Sequence, residues 1–370
     1  MVERGVFGEV NARAGQRTEI LAAAERFGAL WLDDVRRRWC AGDASACSHM
    51  VGELVRAGLC LVRRSREDAR RKYLVVRPEG IAFLEKQGYA VRGQPGSRCP
   101  ALHTERLADR ARLLLELVSA GIPDTWVLVG DEMRALLRLP RNRSLVAAVR
   151  NADRTAVLLV SPIPWRKLLA RLFDTASHIQ LWVVLVESMG TWGKMVREWL
   201  NRRPTRRVWV PRPGEVAPLL KEYLTDPGGW EARLRQVLSV PVRHARSNPP
   251  LTIPGFELVT PRQRGALVQT LCILDGRFCS LHDFRPVPVD LLANRLAMTD
   301  EDLQRGLEVS GIVGLVSDEK QAQQLARVLG WSRRFAYLWV GDGRACLWTV
   351  EGERLTPRWA QPAEGQHLQK

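Results

Sequence analysis

Apolar positions recur at helical spacing from Thr18 onward. Ile20, Leu21, Ala24 and Phe27 share one face, and Gly28 ends the pattern. A second short helix carries Leu32, Val35 and Trp39 at steps of three and four. Ala41-Gly42-Asp43 then reads as a turn, with Asp43 or Ser45 as the N-cap of a third helix that runs to about Ala57. On that helix Cys47, Met50 or Val51, and Leu54 fall on one face, and Ser45, Ser48, His49, Gly52 and Arg56 on the other. Leu59–Arg64 alternates as a strand, Ser65–Arg71 is a polar connection, and Lys72–Val76 is the returning strand. Arg77-Pro78-Glu79-Gly80 starts a fourth helix, which Gly88 ends. Three helices, a β-hairpin and a closing helix make a winged helix-turn-helix over residues 15–91.

Arg92–Ser97 has the composition of a linker. A long helix is expected from His103 to Ala120, with Leu107, Ala111, Leu114 and Leu115 as its apolar stripe. Strands and helices then alternate. The strands are expected at 125–129, 155–160, 179–186 and 207–210, and the helices at 131–137, 165–173, 192–200 and 214–223. Continuous apolar strands alternating with helices predict an α/β layer with a largely parallel sheet over 101–226.

Asn248-Pro249-Pro250 marks a boundary before a third region, 255–355. A helix is expected over Pro261–Leu274, from Leu267, Leu271 and Leu274. A helix at 288–296, a turn capped by Thr299, and a helix at 301–309 lead into Gly311–Val316. That order suggests a second winged-helix-like domain. Phe335–Val340 and Arg344–Val350 flank Gly341-Asp342-Gly343 and read as a hairpin. The whole is expected to be an α+β multidomain chain.

The 370 residues suit two or three domains. Hydrophobic residues make up 46%, which excludes a disordered chain. No apolar run reaches the roughly 18 residues of a membrane span, and no secretion signal is expected at the start. Seven cysteines, scattered and odd in number, predict reduced thiols and a cytoplasmic protein. The net charge of +16 matters more. It divides as +6 over residues 1–100, +10 over 101–250 and zero over 251–370. Only seven of the 56 cations are lysines; arginine suits bidentate contact with phosphate and guanine. The excess argues for a polyanionic partner, most simply double-stranded DNA.

The candidate DNA-binding residues follow. Ser45, Ser48, His49, Gly52 and Arg56 form the polar face of the third helix, suited to a major groove. Arg63, Arg64, Arg66, Arg70, Arg71 and Lys72 crowd the hairpin tip against Glu67 and Asp68 alone, suited to phosphates or a minor groove. Cys40, Cys47, His49 and Cys60 lack the spacing of a zinc knuckle, as do Cys272, Cys279 and His282, so no metal and no cofactor is expected. No phosphate-binding loop, nucleophile elbow or paired-histidine motif is present. The helix at 301–309, with Asp300 before it, sets Asp300, Glu301, Asp302 and Glu308 against Arg305 alone, so the third region is expected to bind a protein partner or a second copy of this chain.

The run Tyr73-Leu74-Val75-Val76-Arg77-Pro78-Glu79-Gly80 resembles the wing exit of bacterial winged-helix regulators. A wider likeness covers residues 15–225. A winged helix, a helix starting at His103, Trp126 and Glu132 after the first strand, the strand up to Val160, Trp165-Arg166-Lys167-Leu168-Leu169, and Leu181–Glu187 together resemble the replication-relaxation family. That resemblance implies a protein of bacterial plasmids or mobile elements, with a central domain related to the restriction-endonuclease fold. An active nuclease of that fold needs an acid and then Asp/Glu-x-Lys on a strand. Asp153 can supply the first acid, but Val157–Ser161 supplies neither carboxylate nor lysine. The central domain is therefore expected to be inactive, and the chain to be no enzyme. The expected function is DNA binding as a regulator or accessory factor in replication, transfer or transcription. A metal-dependent nuclease targeted by the winged helix, or a protein-interaction scaffold, are the alternatives.

Overall fold

The computed structural model describes residues 14–91, 101–139, 145–151, 156–160, 179–186, 188–226, 229–238, 251–259, 262–264, 267–307, 309–341 and 344–362. The fold is mixed α and β with several sheets. The chain divides into two compact units. The first takes residues up to 141 and 146–154, the second 142–145 and 155–370, so the division falls inside the 101–226 segment.

The first unit opens with helix α1 (Ala14–Phe27), strand β1 (Leu30–Trp31), α2 (Leu32–Trp39) and α3 (Ala44–Arg56). Strands β2 (Cys60–Arg64) and β3 (Lys72–Val76) follow, then α4 (Pro78–Lys86). Ile20, Leu21, Ala24 and Phe27 are buried as the pattern requires, and Ala22 and Ala23 are buried with them. The Asp43 carboxylate caps α3 by accepting from the backbone N–H of Ser45 at 2.7 Å and of Ala46 at 3.2 Å. Its inner face buries Cys47, Val51 and Leu54. The three strands form an antiparallel sheet in the order β1-β3-β2, with Leu30 opposite Leu74 and Val62 opposite Leu74 on the other side. Gly80 is required at the head of α4. A Cβ there would lie 2.2 Å from the Leu59 carbonyl oxygen, which accepts from the Arg77 N–H.

Helix α5 (Ala101–Ser119) packs across this sheet. Ala29, Trp31, Tyr73 and Val75 form one apolar cluster with Ala108, and Leu61 and Leu107 close it. The buried Asp34 carboxylate on α2 accepts from Arg37 and, at 3.1 Å through both oxygens, from Arg112 on α5. A 3-10 turn, strand β4 (Val127–Leu128), α6 (Gly130–Leu136) and β5 (Leu145–Arg150) complete the unit, with β4 and β5 antiparallel. The continuous apolar run Leu-Val-Ala-Ala-Val forms β5, and the first five residues of the strand are all buried.

In the second unit β6 (Ala156–Val160), β7 (Leu181–Val184) and β8 (Val208–Trp209) run parallel, with Val157 opposite Leu181 and Trp182 opposite Val208. Helix α7 (Met189–Arg202) links β7 to β8, and α8 (Val216–Thr225) and α9 (Gly229–Leu238) follow. The helix expected at 165–173 lies outside the described residues. So do Asp153, Glu187 and the arginines at 141, 143, 154, 166 and 171.

The rest of the unit contains β9 (Leu251–Thr252), β10 (Phe256–Leu258), β11 (Arg262–Arg264), β12 (Leu267–Gln269), β13 (Leu271–Leu274) and β14 (Arg277–Asp283). Then come α10 (Val289–Ala297), α11 (Asp300–Leu307), β15 (Gly311–Leu315), α12 (Glu319–Val328), β16 (Phe335–Gly341), β17 (Arg344–Glu351), β18 (Arg354–Trp359) and β19 (Gln361–Pro362). Seven of these strands form one sheet in the order β10-β13-β14-β15-β16-β17-β18.

This sheet corrects two expectations. The helix expected over Pro261–Leu274 is replaced by β11, β12 and β13. Leu267, Leu271 and Leu274 match helical spacing, but Val268, Thr270 and Ile273 between them favour extended backbone. The winged-helix reading of 255–355 fails as well. Strand β15 enters no wing: it is buried along its length and runs parallel to both β14 and β16. Helices α10 and α11 form the crossover from β14 to β15, and α12 the crossover from β15 to β16, as parallel strands demand. The expected hairpin at 335–350 is present as β16 and β17. Gly314 sits in the middle of β15, where a Cβ would meet the Phe284 ring at 1.8 Å.

Candidate nucleic-acid interface

Helix α3 turns one face outward. Ser45, Ser48, His49 and Arg56 are exposed and Gly52 is half-buried, with open space where its side chain would be. These are the five positions that helical spacing assigned to one face. Beside them Glu53 is held by Arg17 of α1 at 2.6 Å, and the His49 ring nitrogen lies 3.8 Å away. The Arg56 guanidinium folds back on the Gly52 carbonyl at 3.4 Å. The outward face thus offers short hydroxyls, an imidazole and one guanidinium, without an exposed acid among them.

The hairpin tip between β2 and β3 is a built loop. Arg64, Arg66, Arg70 and Lys72 are exposed, and none pairs with a carboxylate among the described residues. Glu67 and Asp68 are exposed beside them. Glu105 of α5 reaches under the loop with a carboxylate that is only 5% exposed. It accepts from the Arg66 backbone N–H at 2.7 Å and from the Ser65 hydroxyl at 3.3 Å. Ser65 in turn accepts from the N–H groups of Glu67 and Asp68. Asp68 accepts from the Arg70 N–H, and Ser65 donates its N–H to the Arg71 carbonyl. A single buried carboxylate therefore fixes the path of the residues that carry the cations.

Arg71 is used differently from its neighbours. It is half-buried, and its guanidinium lies 3.9 Å from the Trp31 ring centroid and 4.0 Å from the Asp109 carboxylate. Trp31 donates its ring N–H to Asp109 at 2.8 Å and packs edge-on against Tyr73 at 5.5 Å. Such a cation–π contact contributes on the order of 1 kcal/mol and anchors the base of the hairpin. Arg63 is also half-buried and engaged. Of the six hairpin cations, four face solvent and two are tied to the fold.

Glu105, Asp109 and Trp31 are absent from the residues singled out by sequence. Nothing in their spacing announces them, because their role depends on α5 crossing the hairpin.

The described cysteines are buried thiols. Cys40, Cys47, Cys60, Cys272, Cys279 and Cys346 are free and buried. Burial pushes the Cys47 and Cys60 thiols up to about 12 and the Cys279 thiol up to about 11. Among the described residues no group of three or more His, Cys, Asp or Glu side chains is placed to hold a metal ion. No described helix is long and apolar enough to cross a membrane. No protein-family model matches the chain, and no curated protein is found to be similar to it.

Proposed function

We propose that this chain binds double-stranded DNA through a winged helix-turn-helix spanning 15–91. In this reading α3 enters the major groove with Ser45, Ser48, His49, Gly52 and Arg56. Arg64, Arg66, Arg70 and Lys72 hold the phosphate backbone, while Arg63 and Arg71 position the hairpin. The observation that carries the reading is the pairing of the outward polar face of α3, whose flanking acid Glu53 is paired with Arg17, with a cationic hairpin whose loop is hydrogen-bonded to Glu105. Rigidity matters because a loop ordered in advance loses less entropy on binding. The resemblance of residues 15–225 to the replication-relaxation family supports a role as regulator or accessory factor on a bacterial plasmid or mobile element. Strand β6 offers no carboxylate or lysine for a nuclease metal, so we propose binding without cleavage.

The test is fluorescence anisotropy of the full chain on DNA flanking its gene and on random duplex, across a salt series. Replacing Arg64, Arg66 and Arg70 by Glu should weaken binding on every sequence. It should also flatten the plot of log K against log salt by about 2.7, three phosphates at about 0.9 each. Ser48→Ala and His49→Ala should change which sequence is preferred. Absence of binding below micromolar at low salt overturns the proposal.

A further inference from the structure

Helices α7 and α12 of the second unit bound an open cleft of 300 Å³. Its lining is Gly193, Lys194 and Arg197 from α7, with Gln324, Arg327 and Val328 from α12. The floor is apolar and tight: a Cβ at Gly193 would stand 3.8 Å from a Val328 methyl. Lys194, Arg197 and Arg327 are exposed at the rim, and none has a carboxylate partner among the described residues. Several other cations of this unit are paired. Arg202 pairs with Glu198, Arg212 with Glu215 and Asp318, Arg285 with Asp283 and Glu222, and Arg235 with Glu231. Three unmatched cations converging on one cleft repel one another until an anion joins them. Gln324 completes the lining between the cations.

We infer that this cleft binds the phosphate backbone of nucleic acid, as a contact separate from the winged helix. The lining selects that class. No aromatic side chain is present to stack a base, and no carboxylate to accept from ribose hydroxyls. Recognition is left to the phosphate charge. The cleft lies at the bottom of the size range for sites that bury a small molecule and opens to solvent at its rim. A chain of phosphodiesters can pass across it, whereas a free nucleotide would leave its base uncovered. The inference builds on the DNA-binding reading but uses none of its residues.

The experiment compares the full chain with a Lys194→Glu/Arg197→Glu/Arg327→Glu variant and with the Arg64→Glu/Arg66→Glu/Arg70→Glu variant. Random 40-base-pair duplex is titrated between about 50 and 300 mM salt. Losing three phosphate contacts should flatten the salt dependence by about 2.7 and weaken binding at least about tenfold at 100 mM. The Gln variants at the same three positions should fall between, and thermal melting of each variant checks that the fold is kept. Unchanged affinity and slope in the cleft variant, with loss in the hairpin variant, overturns the inference and leaves the winged-helix reading standing. The reverse pattern supports the cleft and sinks the winged-helix reading. If the unaltered chain does not bind duplex DNA, both fail. Thermal stabilisation by ATP or inorganic phosphate, without any change in the DNA salt slope, assigns the cleft to small anions and also overturns the inference.

Discussion

Glu105→Ala tests whether one buried carboxylate orders the cationic hairpin. The substitution removes a charged acceptor from the Arg66 N–H, a bond of about 1.5–3 kcal/mol, and an acceptor from Ser65, about 0.5–1.5 kcal/mol. Together these put the local loss at about 2–4 kcal/mol. Glu105→Gln is a milder and more specific change. Its carbonyl oxygen can still accept from Arg66, but its NH2 group then faces the Ser65 hydroxyl. That hydroxyl already accepts from Glu67 and Asp68, so two donors meet. The Gln variant should lose about 1–2 kcal/mol. Hydrogen exchange followed by mass spectrometry reads the effect at the loop itself. A loss of 2–4 kcal/mol should speed exchange at residues 66–68 about 30- to 700-fold in the Ala variant, at about 1.4 kcal/mol per tenfold. Peptides from α3 should change little. Exchange at 66–68 within about threefold of the unaltered chain would show that Glu105 is a bystander.

Three further outcomes are expected. Gly80→Ala drives a methyl into the Leu59 carbonyl and should cost about 2–3 kcal/mol, lowering the melting temperature of the first unit by about 4–12 °C in calorimetry. His282 is buried, and its pKa is lowered to about 4, first by burial and then by the nearby Arg295. Its unfolded form takes up a proton near pH 6.5 while the folded form does not. Stability is therefore complete above pH 6.5 and falls by about 3 kcal/mol between pH 6.5 and 4; urea melts of His282→Phe should lack that slope. Asp34→Asn and Arg112→Ala should each destabilise by about 1–2 kcal/mol, discounted because Arg112 reaches water. A double-mutant cycle should return a coupling of about 1 kcal/mol, and strict additivity would contradict the tie between α2 and α5.

The legible parts of the chain were those whose signals are local. The outward face of α3 follows from helical spacing alone, since Asp43 fixes the start and Cys47, Val51 and Leu54 fix the buried side. The hairpin was marked by alternation on both sides of a polar connection. The third region misled because its decisive contacts are distant. Gly311–Leu315 looks the same in sequence whether it enters a wing or lies between two parallel neighbours, and only its pairing with β14 and β16 distinguishes them. Helix α12 has no clear helical signature in the sequence, although Asp318 caps it and Ala322, Leu325 and Ala326 give it a buried stripe. Its glutamine-rich, weakly apolar surface hides the period. Of the candidate cations, Arg71 was indistinguishable from its neighbours until Trp31 was brought beneath it.

The pairing of β9 with β19 has a consequence for synthesis on the ribosome. Thr252 meets Gln361, and Leu251 meets Pro362, so this pair cannot form until the chain has been translated through residue 362. The last described strand of the first unit ends at Arg150. At about 5–20 residues per second, on the order of 10–40 s separate the two events. During that interval every residue of the first unit is available for folding, while β9 has no strand to pair with. A chain interrupted in that window should carry a competent first unit attached to a sticky, incomplete second one. Arrested nascent chains should therefore show protease resistance in the first 150 residues well before the remainder.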